Sequence, residues 1–364
     1  MSNNPGRAAL DIAGQRFEGW TEVSVTHSIE QVASSFTLSL TDRWGVAMEP
    51  RPIRKGDSCI VSLEGEALIN GYINRPNPGY DADSRRLSVS GRSKTGDLVD
   101  CSADIEGGQF KGRSLVQIAT ALCRPLGVEV VNEVPDAAKP LTTDWQLEPG
   151  ESVFESLERA ARFVRCLLIP DPRGRLVITR AGSRALSAQL LYGENIVEAD
   201  GQYDDSDQFS DYIVLGDSAA GGDAWDELDA VAVTQTLGRV KDDTVGRYRP
   251  MIILAEDNLD AKRATERAEW EMRRRRARAN QVEITVQGWQ VPGTKQLWPL
   301  NHLVPVTCPW LNLQREFLLI TALTFTKSRQ GTRTRLTLMP KEGFDVEPIQ
   351  PKKKKAAADD GGGW

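Results

Sequence analysis

Histidine is almost missing from this chain: only His27 and His302 occur in 364 residues. Hydrolytic triads and zinc sites draw on imidazole, so a His-based triad or a zinc centre is disfavoured from the outset. Each histidine reads as a packing or surface residue. Cysteine is scarce too. Cys59, Cys101, Cys123, Cys166 and Cys308 are odd in number, scattered and without metal-ligand spacing, which suits free thiols in a reducing cytoplasm. No apolar run approaches the ~20 residues of a membrane span. The first seven residues, Met1 to Arg7, carry no apolar signal-peptide core. The short motifs of chemistry are missing as well. Gly221-Gly222 is too short for a phosphate loop and no Lys-Ser/Thr follows it, and there is no Gly-x-Ser-x-Gly, His-Glu-x-x-His or Cys-x-x-Cys. Carboxylates do cluster, at Asp204, Asp205 and Asp207 and at Asp242-Asp243. Paired carboxylates can hydrolyse glycosides, but these sit in polar loops, where solvated aspartates are the default. The expectation is a protein without cofactor, metal or catalytic site.

What is present is β pattern. Val23 and Val25 alternate with Ser24 and Thr26; Phe36, Leu38 and Leu40 alternate with Thr37, Ser39 and Thr41. A period of two marks a strand with one buried face. Further extended stretches at 9–12, 59–63, 67–73 and 86–91 are punctuated by Gly56-Asp57, Gly65 and a Pro-Gly loop at Arg75 to Gly79. Residues 1–92 are therefore expected to form a first small β-barrel, with strands in 181–200 as candidates to complete it. Residues 93–180 predict a small α/β domain. A helix over 114–126 has Leu115, Ile118, Ala119 and Leu122 on one face. A second helix opens at the capping box Ser152/Glu155, and a hairpin pairs 166–169 with 176–179 across Asp171-Pro-Arg-Gly174.

Residues 181–340 predict a second β-barrel domain that includes a long charged helix at 258–280. Ala261, Ala264, Ala268 and Met272 follow one helical face. Asp257 or Asn258 can cap the start, and Glu269–Arg273 and Glu271–Arg275 are i,i+4 pairs in the favourable order. An alanine stripe lets such a helix lie close against a sheet. The run Arg273, Arg274, Arg275, Arg276 invites a nucleic-acid reading through Arg273 to Arg278. The chain is acidic, however, with formal charge -6 and pI near 5.3, and the arginines are interleaved with glutamates and lack an aromatic platform. A solvated or interface-facing helix side is the better reading. Trp289, Trp298 and Trp310 read as core or interface rather than sugar platforms. The polar, Gly-rich stretch 217–230 reads as a mobile loop, and 341–364, with lysines 352–355, as a disordered tail. The fold class is α+β, mainly β.

The ordered set of segments resembles the baseplate hub proteins of Mu-like contractile-tailed phages (the tail protein P family), and more distantly the T-even phage hub and the hub part of type VI secretion spikes. Gly91-Arg-Ser-Lys-Thr-Gly-Asp97-Leu-Val-Asp100 is similar to the segment after the first barrel. Gly150 to Arg162, leading to Asp171 to Arg180, is similar to the middle domain. The Arg-ended helix followed by Val286-Gln-Gly288-Trp289, Leu297-Trp298-Pro-Leu-Asn301 and Phe317-Leu-Leu-Ile320 carries the most specific likeness. The stretch from Asp217 and the Lys-Gly tail have no match. The resemblance implies a homotrimer with two similar β-barrels per subunit, hence six barrels in a ring. That ring would join the sixfold tail tube to the threefold central spike, touch other baseplate proteins and let phage DNA pass without specific binding. It would be assembled in the host cytoplasm and sit in the virion. Arg273, Arg274, Arg275, Arg276, Trp289 and Trp298 are the candidate oligomer or partner contacts. The rivals are the same component of a tailocin or type VI-like machine, and a tail-borne cell-wall glycosidase.

Overall fold

A computed structural model describes residues 6–43, 53–82, 84–141, 144–164, 166–182, 184–217, 234–254 and 261–344. The expected loop at 217–230, apart from Asp217, and the expected helix start at 257–260 lie outside them. The first stretch forms β1 (Ala8–Ile12), β2 (Gln15–Phe17), β3 (Glu22–Ser28), β4 (Ser35–Arg43), β5 (Ser58–Leu63), β6 (Glu66–Tyr80) and β7 (Ser84–Ser93). The middle forms α1 (Asp97–Asp100), β8 (Gln109–Phe110), α2 (Leu115–Cys123), β9 (Val130–Asn132), β10 (Trp145–Gln146), α3 (Val153–Phe163), β11 (Leu167–Pro170) and β12 (Leu176–Thr179). The rest forms β13 (Leu190–Leu191), β14 (Ile196–Tyr203), β15 (Asp211–Asp217), β16 (Thr234–Lys241), β17 (Pro250–Leu254), α4 (Ala261–Arg278), β18 (Asn280–Gln287), β19 (Leu303–Cys308), β20 (Leu313–Ser328) and β21 (Gly331–Met339).

The alternation seen in the sequence builds one surface. A 13-stranded sheet runs β14-β18-β21-β20-β3-β4-β7-β6-β5-β1-β2, with β19 and β13 branching from β20. Its order has two ends, so among the described residues the hydrogen bonds do not close a barrel. One register line crosses it as Val286, Thr334, Phe325, Val25, Phe36, Gly91 and Ile73. All seven are buried, which is what a period of two demands of neighbouring one-faced strands. Gly91 is glycine because a Cβ there would sit 2.7 Å from the Phe36 ring and 2.2 Å from Tyr72 O. The same apolar cluster runs from Leu10 to Leu338, so strands from 8–93 and from 190–339 share one core.

The sheet is an internal repeat. The order β3-β4-β7-β6-β5 in the first half matches β14-β18-β21-β20-β19 in the second. The irregularities match too. β6 carries an extra residue at Leu68, opposite Val61/Ser62 of β5, and another between Ile73 and Arg75; β20 carries one at Arg315, opposite Val306/Thr307 of β19, and another between Ile320 and Ala322. The strands in 190–203 pair with β18 and β19; they complete the second half, not the first, for which 181–200 was a candidate. Arg75 to Gly79, expected as a loop, continues β6. Pro76 and Pro78 are tolerated there because β6 beyond the bulge pairs with β7 alone.

Two smaller bodies are inserted. Residues 95–180 pack α2 and α3 against the sheet β11-β12-β9 around their own core. The box at Ser152 is formed: Ser152 N donates to Glu155 Oε2 (2.7 Å) and Glu155 N to Ser152 Oγ (3.2 Å). Between β14 and β18 lies the second insert, the sheet β16-β15-β17 covered by α4. The expected second domain, 181–340, thus contains two separate cores. Ala264 and Ala268 are buried on that small sheet, and Gly238 of β16 explains the closeness: a Cβ there would meet the α4 backbone at 2.5 Å. Lys341–Phe344, expected as the start of the tail, form a short 3-10 turn in which Gly343 lies against Ala277 of α4; 345–364 lie outside the described residues. No described helix is long and apolar enough to cross a membrane.

Candidate functional site

The arginine run is spent largely inside the subunit. Arg273 Nη2 donates to Glu269 Oε2 (3.0 Å) and Arg275 Nε to Glu271 Oε1 (2.6 Å), the two pairs expected from helical spacing. Arg275 also donates to Asp207 O (3.1 Å) and lies over the Phe209 ring. Arg274 stacks on Trp270. Arg276 binds Asp242, whose side chain is fully buried. Burial alone would raise the Asp242 carboxyl. Donors from Arg276, Thr244 and Gln208 overcome it and bring the pKa down to about 2. Arg275 and Arg276 therefore hold α4 on its sheet, and Arg273 and Arg278 remain the more exposed of the run.

Trp289 and Trp298, named as contact candidates, are core residues of the subunit, 3% and 2% exposed. Trp289 Nε1 donates to Thr326 O (2.9 Å). Trp298 Nε1 has no partner among the described residues. Aromatic identity alone does not tell which side of a chain segment faces out. Trp310, at 84%, is the exposed one. The carboxylate clusters are also occupied: Asp205 pairs with Arg247 (2.8 Å) and Asp204 accepts from Ser206 N (2.8 Å). Among the described residues no group of His, Cys, Asp and Glu is placed to hold a metal. Burial pushes the Cys59 and Cys123 thiols up to about 12, far from nucleophilic.

Two large surfaces remain. The first is the outward face of the long sheet. Its register line reads Gln287, Arg333, Thr326, Ser24, Thr37 and Ser90 from β18 to β7. The next outward line brings Thr324 opposite Thr26, hydroxyls 3.3 Å apart, and Ser39 donates to Ser88 (3.1 Å). Short hydroxyls dominate; of the cations beside them Arg333 is matched by Glu198 (2.9 Å) and Arg92 by Asp100, while Arg335, opposite Thr324, is exposed. The second surface is the pair of strand edges, β14 and the outer half of β6, that no other strand among the described residues pairs with. They carry exposed Val197, Tyr203 and Tyr80. The sequence reading, with its candidates at Arg273 to Arg276, Trp289 and Trp298, did not single out these edges, because a strand edge is a property of pairing partners far away in the chain.

Comparison with known proteins agrees with this architecture. Residues 7–93 match the family "Mu phage baseplate assembly protein GpP-like, N-terminal", 95–180 match "Baseplate hub protein gp44-like, second domain", and 260–347 match "Mu phage baseplate assembly protein GpP, fourth domain". The chain is 39% identical to the baseplate hub protein gp44 of Escherichia phage Mu, over 97% of this chain and 92% of that one. Among solved structures, the 43 kDa tail protein of prophage MuSo2 from Shewanella oneidensis superposes with TM-score 0.82 at 34% identity, covering 93% of this chain and 99% of that one. A tail protein of Neisseria meningitidis MC58 superposes with TM-score 0.77 at 26% identity, covering 95% and 100%. With family matches over 7–93, 95–180 and 260–347 and a relative of this identity along nearly the whole length, the chain belongs to the family of Mu-like phage baseplate hub proteins.

Proposed function

We propose that this chain is the hub of a contractile tail's baseplate. Three copies form a ring that adapts a sixfold tail tube to a threefold spike and encloses the passage for DNA. The role is structural and not enzymatic. The observation that carries the reading is the end-to-end relation to the Mu hub. The internal repeat supports the symmetry: two equivalent half-sheets per chain become six in a trimer. The edges of β14 and β6, unpaired among the described residues, support self-association, since a long sheet seldom leaves such edges bare. The hydroxyl face supports the passage. It is rich in short hydroxyls and carries acids beside its cations, so it offers a polyanion few free cations to displace its condensed counterions. The partners are the chain itself, the spike, the tube and neighbouring baseplate proteins, within the virion tail. Light scattering after size exclusion tests the assembly. A mass near three times 40.2 kDa is expected; a monomer that persists in the presence of the spike overturns it.

A further inference from the structure

We infer that the cleft between the long sheet and the inserted body 95–180 is a binding site for an aliphatic carboxylate: His27 and Trp298 donate to the carboxylate oxygens, and the hydrocarbon stem lies along the apolar lining. This goes beyond the structural role proposed above and does not depend on it.

The cleft has a volume of about 720 Å³, within the range of roughly 300–1,000 Å³ usual for ligand sites. The sheet contributes His27 of β3 with Leu323 and Phe325 of β20, the inserted body contributes Ile169 and Val177, and the segment before β19 contributes Trp298. Leu323 is the strand partner of His27, and the His27 and Phe325 rings meet edge to face with centroids 6.5 Å apart.

Two of these residues hold a buried donor with nothing to bind. Trp298 is 2% exposed, and its Nε1 has no partner among the described residues. An indole nitrogen can only donate. His27 is 9% exposed, and its Nε2 is in the same condition. The other ring nitrogen sets the tautomer. Ser34 Oγ lies 2.8 Å from Nδ1 and has no second partner among the described residues, so the hydroxyl donates there. Nδ1 accepts, and the hydrogen of the neutral imidazole sits on Nε2. An unpaired buried N–H is costly, and folded chains keep few of them. Two on the lining of one cleft mark a place for a guest that brings acceptors.

The guest's chemistry follows from what is unmet. Hydroxyls and amides carry hydrogens that would need acceptors in turn. An ionised carboxylate only accepts, through two oxygens, and its hydrogen bonds are charge-assisted. The acids on the lining are already engaged: Glu133 Oε2 accepts from Thr179 Oγ1 (2.8 Å) and Asp171 Oδ2 from Arg175 Nε (2.6 Å). The exposed part of the lining includes Arg180 and Arg184. Arg180 pairs with Asp136 (3.1 Å), while Arg184 makes no ion pair among the described residues. Its free charge favours an anion at the mouth, and the aliphatic and aromatic lining favours a hydrocarbon stem.

Octanoate is the probe, with dodecanoate to lengthen the stem and octylamine to reverse the charge of the head. The native full-length chain, labelled with 15N at tryptophan, reports through the Trp298 indole resonance, which is assigned by its loss in Trp298→Phe. Octanoate is expected to shift that resonance saturably with a Kd of about 1 mM or below, which its roughly ten non-hydrogen atoms can supply. Each further buried CH2 brings roughly a fourfold gain, so dodecanoate binds tighter. Octylamine leaves the resonance in place. In calorimetry, Trp298→Phe keeps a ring without the donor and should bind dodecanoate about tenfold more weakly. Arg184→Glu changes an exposed side chain without disturbing the core, and should weaken binding by about two- to fivefold. If Trp298→Phe fails to fold, Arg184→Glu and the octylamine comparison carry the test. An unmoved Trp298 resonance at saturating octanoate overturns the proposal, and so does an equal shift with octylamine. Equal dodecanoate affinity in the native chain and both variants overturns it too, and assigns the two donors to ordered water.

Discussion

Single residues in this fold show how little a side chain's identity says without its neighbours. His27 continues the inward row Val23, Val25 on β3 and is 9% exposed; Ser34 Oγ lies 2.8 Å from its Nδ1, and Nε2 has no partner among the described residues. Of the two roles read from sequence, packing or surface, it takes packing. Burial lowers its pKa from 6.5 to about 4. The unfolded chain then takes up a proton near pH 6.5 that the folded chain refuses until about pH 4. Stability from the neutral imidazole is complete above pH 6.5 and is lost as pH falls through that window, by roughly 3 kcal/mol. In urea titrations at pH 7 and pH 4.5, His27→Gln should lose less between the two pH values than the native chain, the gap being about 2 kcal/mol. An equal loss in both would mean that other groups carry the acid sensitivity. Asp242, brought to about 2, titrates below this window and does not confound it.

Elements were legible where their pattern is local and obscure where their partner is remote. The capping box at Ser152, the i,i+4 pairs of α4 and its alanine stripe could all be read directly, because each lies within one or two turns. What the stripe packs on could not. Gly238 and Asp242 are separate in sequence from the helix they receive, and nothing in 261–278 names them. The same distance hid the fate of Arg276. Asp242→Ala would leave that guanidinium without its buried partner and strip acceptors from Gln208 and Thr244. Because Arg276 keeps 40% of its side chain in solvent, it can be rehydrated, so the cost should be about 2–4 kcal/mol, the lower part of the buried-pair range. Hydrogen exchange should report it as lost protection along α4 and β15, with β3 and β20 unchanged. Asp243→Ala, at a position 87% exposed, should stay within ~0.5 kcal/mol. If both variants behave alike, the helix is held by its alanine face alone.

At the scale of the whole molecule, the alternation along 23–41 marked the strands but not their union with the second half. The β3–β20 pair joins residues separated by 298 positions, and no local rule anticipates it. That union makes the hydroxyl face continuous, and the proposed passage depends on its chemistry more than on the chain's net charge. The acidic composition weighed against a nucleic-acid site; the face itself is hydroxyl-rich and carries charges of both signs, so weak adhesion is the more direct expectation. Thr37→Lys with Gln287→Lys would add six cations to a trimer at outward, exposed positions on β4 and β18 that do not enter the core. The variant should fold and assemble. In a filter-retention assay the native trimer should not hold duplex DNA at ~150 mM salt, while the variant should hold it at low salt. Its affinity should fall with salt at a log–log slope of about -0.9 for each phosphate neutralised. Strong retention by the native trimer would place a basic surface, not this one, along the passage. If the native trimer retains none and the variant gains none, the hydroxyl face lies away from the passage.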